Sequence, residues 1–359
     1  MTDPRNQKLA KILVDYSIKL KAKEKLIISC SSEKGLPLAK EIYKLALLKG
    51  AYCYLNLGVV ELEYFYFKNA TLSQLQSKPE IGLFFANWAD KYINIVAEKN
   101  DRALANIDPK KILIKSKVNK PIQDIILKKT WVTTYYPTHS MAQTAYLSLE
   151  EMEDFYFNAC LKDWKKEAEK LVHLKKILDG AKEIKVIGEK TNLSLSFTRR
   201  RFQVCDGRYN MPDGEVYAAP LETKTNGKIY FDFPSLRQSK EVISASFIFK
   251  NGQVVAFNAT KNKDFLSESL NIDAGAKRLG EFALGTNYSI NRFMNNTLFD
   301  EKIGGTIHLA LGSAFPFEEE GGGKNESAIH WDFVKDMRKN GSQVIVDGKI
   351  ILRDGKIFG

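Results

Sequence analysis

The segment Gly321–Asp332, GGGKNESAIHWD, contains two overlapping chemistries. In an extended strand, residues two apart point to the same side, so His330 and Asp332 face one way and Trp331 turns to the other to be packed. An imidazole beside a carboxylate suits zinc or a similar divalent ion. The glycine run with Lys324 also suggests a phosphate loop, but that reading fails on its own requirements. Asn325 stands where the magnesium-binding Ser or Thr belongs, and Glu318, Glu319 and Glu320 would repel a triphosphate. No helical pattern begins after the lysine to present its N-terminus.

His308 lies in TIHLALG, whose alternation puts Ile307, Leu309 and Leu311 on one face and His308, Ala310 and Gly312 on the other. Small neighbours leave room above the imidazole. Of the chain's 4 histidines, two fall between positions 308 and 330. His173 reads as the surface of a charged helix, and His139, in YYPTHSMAQ, as a capping or packing residue at a Pro-marked helix start. Two glutamates stand beside apolar strands: Glu215 opens EVYAAP after a Pro-Asp-Gly turn, and Glu281 sits in GEFALGTN. A carboxylate so placed must be neutralised. Glu215, Glu281 and Asp332 supply three negative charges and His308 and His330 neutral nitrogens; with one hydroxide this set balances two divalent ions.

The elements that must hold these residues fall into two regimes. In the first half, helical spacing over 8–20 (Leu9, Ile12, Leu13, Tyr16, Leu20) and over 35–51, with Gly50 as C-cap, alternates with strand-like KLIISC (25–30), YCYLNLG (52–58) and IGLFFANW (81–88). This predicts a parallel sheet covered by helices. Residues 148–179 read as helical and Gly180 ends them. Beyond KEIKVIG come short strands with turn dipeptides at 226–227, 251–252, 347–348 and 354–355, the signature of antiparallel hairpins. The expected organisation is an α/β N-terminal domain over 1–180 and a β-rich α+β C-terminal catalytic domain over 181–359, long enough for two separate cores.

Bulk properties exclude several classes. Hydrophobic residues at 44% and charged residues at 27% are ordinary for soluble proteins, and no apolar run reaches the length of a membrane span. The N-terminus lacks the apolar core of a secretory signal, so a cytoplasmic location is expected. Cys30, Cys53, Cys160 and Cys205 are widely spaced and read as buried thiols. The net charge of +11 and the cluster Arg199–Arg201 admit nucleic-acid binding, but the lysines alternate with acids at helical spacing, as on solvated faces.

Taken together, NMPDGEVYAAP, GEFALGTN, HLALGSAFP and GGGKNESAIHWD resemble, in order and at nearly the same spacing, the thermophilic metalloaminopeptidase family, the group of aminopeptidases T and S. The first half resembles that family's N-terminal α/β domain more loosely. The resemblance implies removal of N-terminal residues from peptides by two divalent ions, commonly zinc or cobalt with magnesium or manganese admissible, in a homodimer. It implies metal ligation by Glu215, Glu281, His308, His330 and Asp332, with Glu215 or Glu281 as general base. One departure stands out: the family's site tyrosine is here Phe315, which has no oxygen to donate. Water, another tyrosine such as Tyr217, or an altered activity would then fill that role. The alternatives are a degenerate relative with weak or altered hydrolase activity and, less in keeping with the motifs, a basic nucleic-acid-binding protein.

Overall fold

The computed structural model describes residues 3–238, 240–315 and 322–358. Contacts divide the chain into two units, Met1–Lys162 with Gly207–Pro212, and Asp163–Asp206 with Asp213–Gly359. The helix Trp164–Leu178, which the sequence reading grouped with the N-terminal domain, buries Leu171, Leu174 and Leu178 in the core of the second unit.

The first unit is a five-stranded parallel sheet in the order Tyr52–Leu57, Lys25–Cys30, Lys91–Val96, Thr130–Tyr135, Asn210–Met211. Parallel strands need crossover connections, and helices such as Leu36–Leu48 provide them. That helix ends one residue earlier than expected, with Lys49 rather than Gly50 as C-cap, and Gly50 follows in the left-handed region at φ 75°. Leu9, Leu13, Leu26, Ile28 and Ile42 are all fully buried. One expectation is overturned: IGLFFANW is a helix, Glu80–Trp88, and the third strand is the following Lys91–Val96. Its apolar run lacks alternation, so periodicity cannot separate strand from helix. Pro79 and Glu80 start a helix there that leaves Ile81 and Phe84 exposed.

The second unit stacks two sheets over one core. The eight-stranded sheet runs Gln253–Asn258, Ser246–Lys250, Asn226–Tyr230, Thr191–Ser196, Glu183–Gly188, Gln343–Val346, Lys349–Arg353, Lys356–Ile357. The five-stranded antiparallel sheet runs His330–Asp336, Thr306–Gly312, Leu279–Gly285, Glu215–Ala218, Gln203–Cys205. Phe197 meets Phe282, and Phe231 and Phe247 meet Phe333, with ring centroids 5.6, 5.3 and 5.2 Å apart, which locks the sheets face to face. Three of the four turn dipeptides are hairpin turns with both residues at positive φ: Asn251–Gly252, Asp347–Gly348 and Asp354–Gly355. The fourth is not a turn. Asn226 and Gly227 are strand residues paired with Ser194 and Leu193, and Gly227 is required because a Cβ there would lie 2.2 Å from the Asn192 carbonyl oxygen.

Candidate metal centre

The five-stranded sheet sorts its side chains by parity. Val216, Ala218, Phe282, Leu284, Ile307, Leu309, Leu311, Trp331 and Phe333 enter the core. The opposite face carries Glu215, Glu281, His308, His330 and Asp332, drawn from four strands. The register explains how five bulky polar groups share one face. Ala310 sits between Glu281 and Asp332, Ala283 between Tyr217 and His308, Gly285 opposite Glu215 and Gly312 opposite His330. Each functional side chain thus has a glycine or alanine across the strand pair and can lean over it toward the others. A register shift between Leu279 and Glu281 brings Glu281 into line with Ala310.

The donors converge. His308 Nε2 lies 3.7 Å from Glu215 Oε2 and 3.6 Å from Glu281 Oε1, while His330 Nε2 lies 3.1 Å from Glu281 Oε2 and 3.5 Å from Asp332 Oδ1. Glu281 therefore faces both imidazoles, one with each oxygen. His330 Nδ1 is 2.8 Å from the Ser313 carbonyl oxygen, so the proton on that nitrogen is donated there and Nε2 faces the carboxylates. His308 and Glu281 are almost wholly buried, and His330 is the most open of the set, its side chain 32% exposed.

Three sets of ligand atoms cluster closely enough to hold an ion, two of them built around a histidine: Glu281, His330 and Asp332; Glu215, His308 and Glu301; and, without a histidine, Cys205, Asp213 and Glu215. Glu301 is the residue the sequence reading missed. It follows the short helix Thr297–Asp300, capped by the Asn296 side chain on the Leu298 amide. The chain then descends onto the sheet, where Asn287 N–H donates to Lys302 O and a Cβ on Gly285 would stand 2.3 Å from Ile303 O. Glu301 belongs to the charged run Asp300–Lys302, which looks like solvated surface. The available signal was the Gly304–Gly305 pair just beyond it, which lets the backbone approach closely. Lys302, its side chain only 2% exposed, pairs with Glu215 Oε1 at 2.6 Å and Glu301 Oε2 at 3.0 Å.

These residues suit divalent-cation binding. Glu215 Oε2 and Asp332 Oδ1 are buried without a hydrogen-bond partner among the described residues, a costly arrangement unless a cation completes it. The donor separations are close to the roughly 3.3 Å that tetrahedral ligands at about 2.0–2.1 Å from an ion must have. The same closeness shifts the proton affinities of these groups. Burial opposes the imidazolium of His308, but Glu281 and Glu215 outweigh it and raise the pKa to about 9. Burial likewise opposes charge on His330, yet Asp332 and Glu281 push it up to about 12. Glu281 is held well below the usual carboxylate range, the two imidazoles overcoming its desolvation, whereas burial pushes Glu301 up to about 8.

The remaining sequence candidates fall elsewhere. Phe315 lies against the rings of Tyr217 and His330, centroids 5.2 and 5.4 Å apart, so it is part of the site's wall. Gly321 and Glu318–Glu320 lie outside the described residues. Gly323 fits between Ala314 and Ala219, where a Cβ would meet theirs at 2.2 and 2.6 Å. The Lys324 amide donates to Glu222. Within the basic cluster, Arg200 is paired to the same Glu222 at 2.7 Å. His173 is exposed on its helix, and His139 begins the helix His139–Thr144, capped by Thr138.

Fold and site together define a metal-dependent protein of mixed α/β and antiparallel-β build. The chain belongs to the thermophilic metalloprotease (M29) family, whose model matches residues 2–357. It is 25% identical over 399 residues to Aminopeptidase 2 of Geobacillus stearothermophilus, covering 97% of this chain and 94% of that one. It is 30% identical over 253 residues to aminopeptidase AmpS of Bacillus subtilis (strain 168), covering 61% of this chain and 60% of the relative. The fold matches that of wild-type AmpT from Thermus thermophilus with a TM-score of 0.84 at 21% identity over 99% of both chains. The α/β N-terminal and β-rich C-terminal architecture read from the sequence is thereby confirmed. No helix among the described residues is long and apolar enough to cross a membrane.

Proposed function

We propose that the protein is an aminopeptidase that removes N-terminal residues from peptides at a dinuclear divalent-metal site. The observation that carries this reading is Glu281, which faces His308 with one oxygen and His330 with the other and so joins two donor trios into one cluster. The relatives' names supply the reaction class, and the nitrogen and carboxylate donors suit zinc or cobalt, with magnesium or manganese less well matched. When bound, the ions would supply Lewis acidity to the scissile carbonyl and acidify a water molecule. One of Glu215 and Glu281, which both face the cluster interior, is the group proposed to take that water's proton and pass it to the leaving amine. The four carboxylates gathered in the site attract a protonated amino terminus, which favours exopeptidase cleavage. Phe315 and Tyr217 form an aromatic wall beside His330 that limits water on that side. A homodimer and a cytoplasmic location belong to the same proposal, and light scattering of the purified protein tests the first.

The test is metal analysis of the pure protein together with hydrolysis of a panel of aminoacyl-p-nitroanilides before and after chelation. Metal-dependent hydrolysis confined to substrates with a free amino group is expected; Glu281→Ala with unchanged metal content and activity would overturn the assignment. A second reading, a weak or altered hydrolase, is favoured by one observation: the ring next to His330 is a phenylalanine and offers no hydroxyl.

A further inference from the structure

The two donor trios differ in one respect that bears on how they fill. Glu281, His330 and Asp332 bring two carboxylates and no cation. Glu215, Glu301 and His308 also bring two carboxylates, but the ammonium of Lys302 is bonded to both, at 2.6 and 3.0 Å. One oxygen of each acid is therefore already committed. The trio's formal charge falls by one unit, and a fixed positive charge stands within bonding distance of the same carboxylates that would receive the ion. Lys302 is almost fully buried, so solvent does not screen it. The trios also differ in access: His308 is 1% exposed, whereas His330 is 32% exposed.

We propose that Lys302 is a positioning residue that makes the two metal positions unequal: the Glu281–His330–Asp332 position fills first and tightly, and the Glu215–Glu301–His308 position fills second and more weakly. This rests on the dinuclear reading above. Lys302 holds Glu215 by Oε1 and so presents Oε2 alone to an ion, while its charge opposes the incoming dication. The second ion is then the exchangeable one, and its occupancy follows the free metal concentration.

The test uses full-length, metal-free protein titrated with zinc and, separately, cobalt, with bound metal measured by equilibrium dialysis and cobalt followed also by its visible absorption. Wild-type protein is expected to bind two ions in two classes whose Kd values differ by about tenfold or more. Lys302→Met is expected to tighten the weaker class about tenfold and leave the stronger class unchanged, which loss of structural support would not do. Because removing a buried cation can prevent folding, a second measurement needs no variant. In crystals of wild-type protein given one equivalent of zinc, anomalous scattering is expected at Glu281–His330–Asp332. Two ions of equal affinity, or the first ion at Glu215–Glu301–His308, would overturn the role of Lys302 and leave the dinuclear reading standing. A protein that binds only one ion under all conditions would overturn both.

Discussion

Glu281 Oε1 faces His308 at 3.6 Å and Oε2 faces His330 at 3.1 Å, so its replacement disturbs both trios together. Glu281→Gln preserves the volume but removes the charge. It is expected to lower bound metal below one ion per chain and to reduce kcat/KM at least ~100-fold, read by elemental analysis and steady-state kinetics. Phe315 lies tilted beside His330 without an oxygen, and Phe315→Tyr is expected to raise kcat about tenfold with KM little changed, since a phenol there adds a donor toward developing negative charge. An unchanged or lower kcat would show that the wall does not limit turnover. At this scale the sequence was informative because the site breaks a rule: glutamates and histidines inside apolar strands cannot be paid for unless they are neutralised. Glu301 escaped because its neighbours Asp300 and Lys302 are charged, and nothing local distinguishes a buried acid–lysine pair from a solvated one.

The four strands that carry the clustered donors act as a single device whose small residues matter as much as its donors. Ala310, fully buried between Glu281 and Asp332, is the clearest case. Ala310→Val puts two methyl groups into the space where those carboxylates converge. The sheet should survive, since valine favours strands, while zinc affinity falls about tenfold or more; circular dichroism and metal titration separate the two outcomes. On the other sheet, Gly252 has φ 78°, and a Cβ there would come 1.8 Å from the Glu222 carbonyl oxygen. Gly252→Ala is expected to cost about 1–3 kcal/mol in urea unfolding without changing metal content. The hairpins were legible because Asn-Gly and Asp-Gly have few uses other than a primed turn. IGLFFANW was not, because an unbroken apolar run has no period, and the residues that decide it, Pro79 and Glu80, lie at its edge. Asn226–Gly227 misled for a related reason: glycine serves close backbone approach as well as turns, and only the paired strand shows which.

For the whole molecule, we expect the cluster of buried carboxylates to make stability depend on the metal. Each bound ion adds about 2.7 kcal/mol when present at 100 times its Kd, so chelation is expected to lower Tm and zinc to restore it, as thermal-shift measurements would show. A Tm indifferent to chelator would contradict a cation-completed site. The two-regime architecture was legible because the hydrophobic period changes near residue 180, but the division of contacts was not, because no local pattern announces a strand that leaves its own neighbourhood. Asn210–Met211 is that strand: it pairs with Thr133 and Thr134 as the fifth member of the parallel sheet, while Cys205 and Glu215 on either side belong to the antiparallel one. No single cut can therefore yield two intact halves. A fragment ending at Lys162 would lack its edge strand and the Gly207 carbonyl that the Ser17 hydroxyl requires, and the complementary fragment would carry an ownerless loop just ahead of Glu215. Dissecting this protein calls for a graft of that hexapeptide, or for leaving it whole.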